Sequence, residues 1–168
     1  MLTSNSGLEY DQLSIMRKEK KEVKETGSKN PLYPVFLKLE ALELLLVGAG
    51  NVGLEKLQSL LGNAPHARIT VVAPVVLDEV RDLLANHPNC ILKEREFVEA
   101  DLEHKDILVL ATDNPDLHRE VKQLANTKGI LVNVADTPEL CDFYLGSIVQ
   151  KGNLKIAIST NGKSPTAG

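Results

Sequence analysis

At 168 residues, with 43% hydrophobic and 25% charged side chains, the chain is long enough for one good core, or for one nucleotide-binding domain plus a small appendage. A net charge of -4, 4% aromatic residues and no Trp argue against nucleic acid as a partner, since they offer neither a broad basic face nor a base-stacking platform. No apolar run approaches the roughly 20 residues that span a bilayer, no signal-peptide core opens the chain, and Cys90 and Cys141 lie far apart as reduced thiols would, so the expectation is a cytoplasmic protein without a membrane partner.

Residues 1–30 read as a charged tail. The run Arg17-Lys18-Glu19-Lys20-Lys21-Glu22-Val23-Lys24-Glu25 buries almost nothing, and its interleaved glutamates cancel the field a nucleic-acid arm needs. Pro31 to Leu39 reads as an extended segment whose two prolines suit an edge strand. Leu44 to Val47 is a short apolar run of the kind buried on both faces of a parallel sheet. It enters Gly48-Ala49-Gly50-Asn51-Val52-Gly53, and Leu54, Leu57, Leu60 and Leu61 then recur at helical spacing. A G-x-G-x-x-G between strand and helix is a dinucleotide fingerprint: Gly48 for the tight turn, Gly50 for close approach of a pyrophosphate, Gly53 for helix–strand packing. The free N–H groups at the helix start, from Gly50 to Val52, face the phosphates.

Ala67 to Ala73 forms a second strand, ended by Pro74, and a helix follows over 76–86. Val72, Ala73 and Pro74 stand where a ribose-binding acid is expected, and no Arg follows directly to take a 2′-phosphate, which favours NAD over NADP. Cys90 to Lys93 and Ile107 to Ala111 are the third and fourth strands. Asn114 caps a helix with Pro115 in its first turn, running to about Lys128 and stopping at Gly129. Ile130 to Val134 is the fifth strand. The alternation implies an α/β, Rossmann-type doubly wound parallel sheet. Its ligand crevice lies at the carboxyl ends of the strands, which gathers Gly48–Gly53, Pro74, Thr112, Asp113, Asn114 and Asp136. Two further strand-like runs, Phe143 to Gln150 and Leu154 to Thr160, flank Lys151-Gly152-Asn153 as a hairpin. A hairpin alone is marginal in water, so pairing with another chain or with further sequence is expected.

Several segments in this order carry a family resemblance: Val35-Phe36-Leu37, Val47-Gly48-Ala49-Gly50-Asn51-Val52, Val71-Val72-Ala73-Pro74, Ala111-Thr112-Asp113, and Val132-Asn133-Val134-Ala135-Asp136. Leu140-Cys141-Asp142-Phe143, Ser147-Ile148-Val149 and Ala157-Ile158-Ser159-Thr160 to Ser164-Pro165 continue the set. From Pro31 onward the chain resembles the precorrin-2 dehydrogenase / sirohydrochlorin ferrochelatase family, the dehydrogenase part of siroheme synthase. The resemblance implies NAD-dependent oxidation of precorrin-2 to sirohydrochlorin, with ferrous iron insertion in some relatives, and a homodimer. It also implies that NAD is accepted without an acid at the ribose position. Three regions follow from it: the tail over 1–30, an NAD-binding domain over 31–140, and over 141–168 the start of a dimerisation and substrate domain whose C-terminal helices are expected but not present here.

Asp136 is the candidate catalytic residue, since it follows a central strand and a carboxylate can accept the proton that accompanies hydride removal. Asp142 is the runner-up, with a structural turn as its other reading. Gly48, Gly50, Asn51, Val52, Gly53, Pro74, Val75, Thr112, Asp113 and Asn133 are candidate cofactor residues. Thr160 and Ser164 are candidate substrate residues. His66, His87, His104 and His118 show no metal-site spacing and read as surface residues, and no metal site is expected. A competing function is a non-catalytic dinucleotide-sensing regulatory domain. Such sensors usually keep the ribose-binding acid that this chain lacks.

Overall fold

The computed structural model describes residues 30–160, and the expectations for the charged tail and for Ser164 lie outside them. Five parallel strands follow in the order β3-β2-β1-β4-β5: β1 (Glu43–Ala49), β2 (Arg68–Val76), β3 (Cys90–Lys93), β4 (Ile107–Leu110) and β5 (Leu131–Val134). The helices are α1 (Asn51–Asn63), α2 (Asp78–Ala85) and α3 (Pro115–Thr127), and a separate antiparallel pair joins β6 (Ser147–Lys151) to β7 (Leu154–Ile158). This is the expected doubly wound sheet, with β1 at its centre and the winding order switching sides between β1 and β4.

The apolar run of β1 explains that central place. Successive side chains alternate between the two faces of a strand, so a strand covered on both sides must be apolar throughout. Leu44 and Leu46 pack with Leu57, Leu60 and Leu61 of α1 and Val80 and Leu84 of α2. Leu45 and Val47 pack on the opposite face with Val121 and Ala125 of α3, and with Leu102. Each such leucine, essentially removed from water, stabilises the fold by about 1.5–3 kcal/mol.

Three expectations need correction. Residues 32–38 join neither sheet, and Tyr33, Val35 and Phe36 stand exposed; β3 and β5 remain the sheet edges. With Pro34 unable to donate to a ladder, this segment leads instead into a single 3-10 turn at Leu39–Ala41. Second, β2 does not end at Pro74. Val47 pairs with Val72, the register then shifts, and Ala49 pairs with Val76. The shift carries Pro74 and Val75 out of one-to-one pairing, where a missing N–H costs nothing, and β3 has already ended opposite Val72. Third, the following helix starts at Asp78, two residues later than expected, because residues through Val76 belong to the longer strand.

The connection from β3 to β4 is closed by a buried carboxylate that sequence spacing did not single out. Asp101 accepts from Lys93 Nζ at 2.9 Å, from both terminal nitrogens of Arg95 at 2.6 and 2.7 Å, and from the Val98 N–H at 3.1 Å. The Arg95 guanidinium, helped by Lys93, holds this carboxyl well below the usual carboxylate range despite its burial.

Candidate functional site

The glycine loop turns directly from β1 into α1. Gly48 has φ +105°, and a Cβ there would run into the Ala111 carbonyl and crowd the Thr112 methyl at 3.1 Å. The absence of a side chain therefore lets the end of β4 close onto the loop. A Cβ at Gly53 would collide with the Gly48 carbonyl, so this glycine seats the first turn of α1 against the strand. Gly50 is different. It is the N-cap of α1, makes no side-chain cap, and a Cβ there would meet nothing within 4 Å. The first-turn N–H groups of Asn51, Val52 and Gly53 have no carbonyl one turn earlier to bond. Open space before uncapped N–H groups and the positive end of a helix fits a dinucleotide pyrophosphate.

Around this loop, Ala49 O accepts from Leu77 N at 3.1 Å, which brings the Pro74–Val75 excursion of β2 alongside. Val75 is 79% exposed, an apolar surface beside the loop where a fingerprint acid would have stood. Thr112 sits on the other side, and its Oγ1 lies 2.9 Å from His118 Nε2. His118 is buried, not a surface residue as expected. It shares the apolar face of α3 with Val121 and Ala125 at helical spacing, and burial pushes its imidazole below the ordinary histidine range. Its ring is thereby fixed against Thr112. Asn114 caps α3 as expected, with Oδ1 accepting from the Asp116 and Leu117 N–H groups at 3.1 Å each.

A cavity of about 460 Å³ opens at the carboxyl end of β5. Asn133, Asp136 and Thr160 line it, as do Glu55 and Lys56 from α1, while the glycine loop, Pro74, Val75, Thr112 and Asp113 do not. The expected site residues thus fall into two groups bridged by α1. Asp136 is exposed with φ +57°, in the left-handed region that Asp tolerates better than most side chains and that turns at strand ends use. A backbone held there beside a cavity is a feature of functional turns. On the far wall Gly146 lets the backbone pass so near the end of β7 that a Cβ would meet the Ile158 carbonyl.

Beneath this turn the segment 141–143 is tied to β5. Asp142 N donates to Val132 O at 2.7 Å, and the Asp142 carboxylate accepts from Val132 N at 2.9 Å and from Lys122. Asp142 is thus a clip on the edge of the sheet, and the acidic residues that line the cavity are Asp136 and Glu55. Asn133 is buried and donates from Nδ2 to Phe143 O at 2.9 Å. The Cys141 sulfur lies 3.2 Å from both the N–H and the carbonyl of Val134, and burial raises its thiol above the ordinary cysteine range. Among the described residues no group of three or more His, Cys, Asp or Glu is gathered to hold a metal ion, and no helix is long and apolar enough to cross a membrane.

Comparison with known proteins gives two family matches: "Putative NAD(P)-binding" over residues 35–147, and the sirohaem biosynthesis protein central family over residues 151–168. The chain is 40% identical over 138 residues to a siroheme synthase of Thioalkalivibrio sulfidiphilus, covering 79% of this chain and 27% of that protein. The siroheme synthases of Nitrosomonas europaea and Psychrobacter cryohalolentis are 35% and 38% identical, again over 79% of this chain. The chain therefore spans about a quarter of the length of the curated relatives it matches. A solved structure of SirC, precorrin-2 dehydrogenase, superposes with a TM-score of 0.66 at 28% identity, covering 81% of this chain and 65% of that one.

Proposed function

The chain belongs to the NAD(P)-binding family that forms the dehydrogenase part of siroheme synthases, and from that premise we propose that it oxidises precorrin-2 to sirohydrochlorin with NAD. The observation that carries the reading is the arrangement of α1. Its N-terminus opens onto the uncapped glycine loop, and its next turn, at Glu55 and Lys56, lines the cavity that holds Asp136.

In this reading the backbone N–H groups from Gly50 through Asn51 to Val52 would hold the pyrophosphate, with Gly48 and Gly53 shaping the loop that presents them. Pro74, Val75, Thr112, Asp113 and Asn133 would complete the cofactor site, where the uncharged surface at Val75 would suit NAD. The bound cofactor supplies a hydride acceptor. Oxidation of a ring carbon–nitrogen unit removes one hydride and one proton, and Asp136 accepts the proton as general base. Atoms and charge then balance as precorrin-2 and NAD+ giving sirohydrochlorin, NADH and H+. Thr160, on the cavity wall, and Ser164 contact the tetrapyrrole. The same Asp136 carboxylate is suited to take pyrrole protons as ferrous iron enters sirohydrochlorin, the second reaction of the family. The hairpin supports a homodimer: Ile148, Val149, Leu154 and Ile156 are each more than 40% exposed in one protomer. Light scattering should return a dimer, and a monomer at micromolar concentration would count against that assembly.

The direct test is anaerobic incubation with precorrin-2 and either NAD or NADP. Formation of NADH together with sirohydrochlorin, faster with NAD, is the expected result. NAD binding without any oxidation would favour the nucleotide-sensing reading instead.

A further inference from the structure

We infer that Lys56 seats a carboxylate of the tetrapyrrole beside Asp136 and so selects for acidic substrates, an assignment that rests on the precorrin-2 reaction proposed above. Three charged side chains line the cavity: Glu55, Lys56 and Asp136. Two of them are negative. Precorrin-2 carries acetate and propionate side chains, all ionised near neutral pH. Such a substrate approaches two like charges, and an adjacent cation is needed to offset them.

Lys56 is placed to do this. It lies three residues past Gly53 on α1, so the element that begins at the cofactor loop also fixes the distance between cation and cofactor. Its side chain is 21% exposed, and its ammonium lies 2.9 Å from Glu55, a partner 73% exposed. Adjacent residues on a helix do not face each other, and an exposed pair of this kind contributes little. A substrate carboxylate can take over from Glu55 at small cost. The other lysines packed beside the sheet are committed differently. Lys93 is bound to buried Asp101, Lys122 to the Asp142 clip, and Lys105 to Thr70 and Glu43.

Lys56→Gln keeps the length of the side chain and removes its charge. Its KM for precorrin-2 should rise about ten- to a hundredfold, the usual loss for a hydrogen bond to a charged group. Saturating turnover and NAD affinity should stay near wild type, the latter also reporting that the variant folds. Lys56→Arg should recover most of the loss, and the salt dependence of the wild-type KM should flatten in the Gln variant. An unchanged KM in an active Lys56→Gln enzyme, or a loss confined to kcat, overturns the role of Lys56 and leaves the proposed reaction standing. A wild-type protein that binds NAD but does not oxidise precorrin-2 refutes the proposed reaction, and the Lys56 assignment with it.

Discussion

The two sides of the crevice are built from different materials. On the β1 side the surface offered to a ligand is backbone: a glycine turn, an uncapped helix start and open space above Gly50. On the β5 side it is a cavity lined by polar and charged residues, among them Asp136, Asn133 and Thr160 with Glu55 and Lys56 of α1. A backbone-built surface tolerates few substitutions because every added atom meets the chain or the ligand. A surface built from side chains can lose one function at a time while the fold survives.

The largest expected effect is at Gly53. Gly53→Val drives a branched side chain into the Gly48 carbonyl, and a loss of about 3 kcal/mol or more is expected in chemical denaturation. Gly50→Val should do the opposite. A Cβ there meets no protein atom, so the denaturation midpoint should hardly move, while calorimetry should show NAD affinity reduced at least about a hundredfold. Equal losses of stability in the two variants would erase the distinction between glycines that face the protein and the glycine that faces the ligand.

On the other side, Asp142→Ala strips the acceptor from the N–H of Val132, a fully buried residue, and should cost about 1–3 kcal/mol of stability with turnover per folded molecule retained. Loss of turnover with stability intact would move Asp142 from clip to catalyst. The smallest effect concerns His118. Burial lowers its pKa below the ordinary value of about 6.5, so the folded state prefers the neutral ring. Its contribution to stability is complete above that value and is lost as pH falls through the lower, folded-state pKa. Denaturation midpoints measured across this range should decline toward acid, less steeply in His118→Gln.

The same contrast governs how much could be read from the sequence. The succession of strands along the chain, the glycine loop and the Asn114 cap are signalled locally, by apolar runs, by glycines at fixed offsets and by Asn before Pro, and the structure has each of them. The β2 boundary is hidden in the sequence because Pro74 looks like a stop, whereas a register shift against β1 removes its penalty. Asp101 and Asp142 depend on partners 3 to 20 residues away whose approach no spacing rule reveals. His118 did carry a signal: a polar residue three and seven positions before Val121 and Ala125 lies on the buried face of a helix.

We propose that Asp136 carries the chemistry in the cavity without holding the cofactor. Asp136→Asn keeps the size of the side chain and removes its basicity. Anaerobic NADH production from precorrin-2 should fall roughly a hundredfold or more in this variant, with NAD affinity close to wild type. NADH production near the wild-type rate would contradict the account.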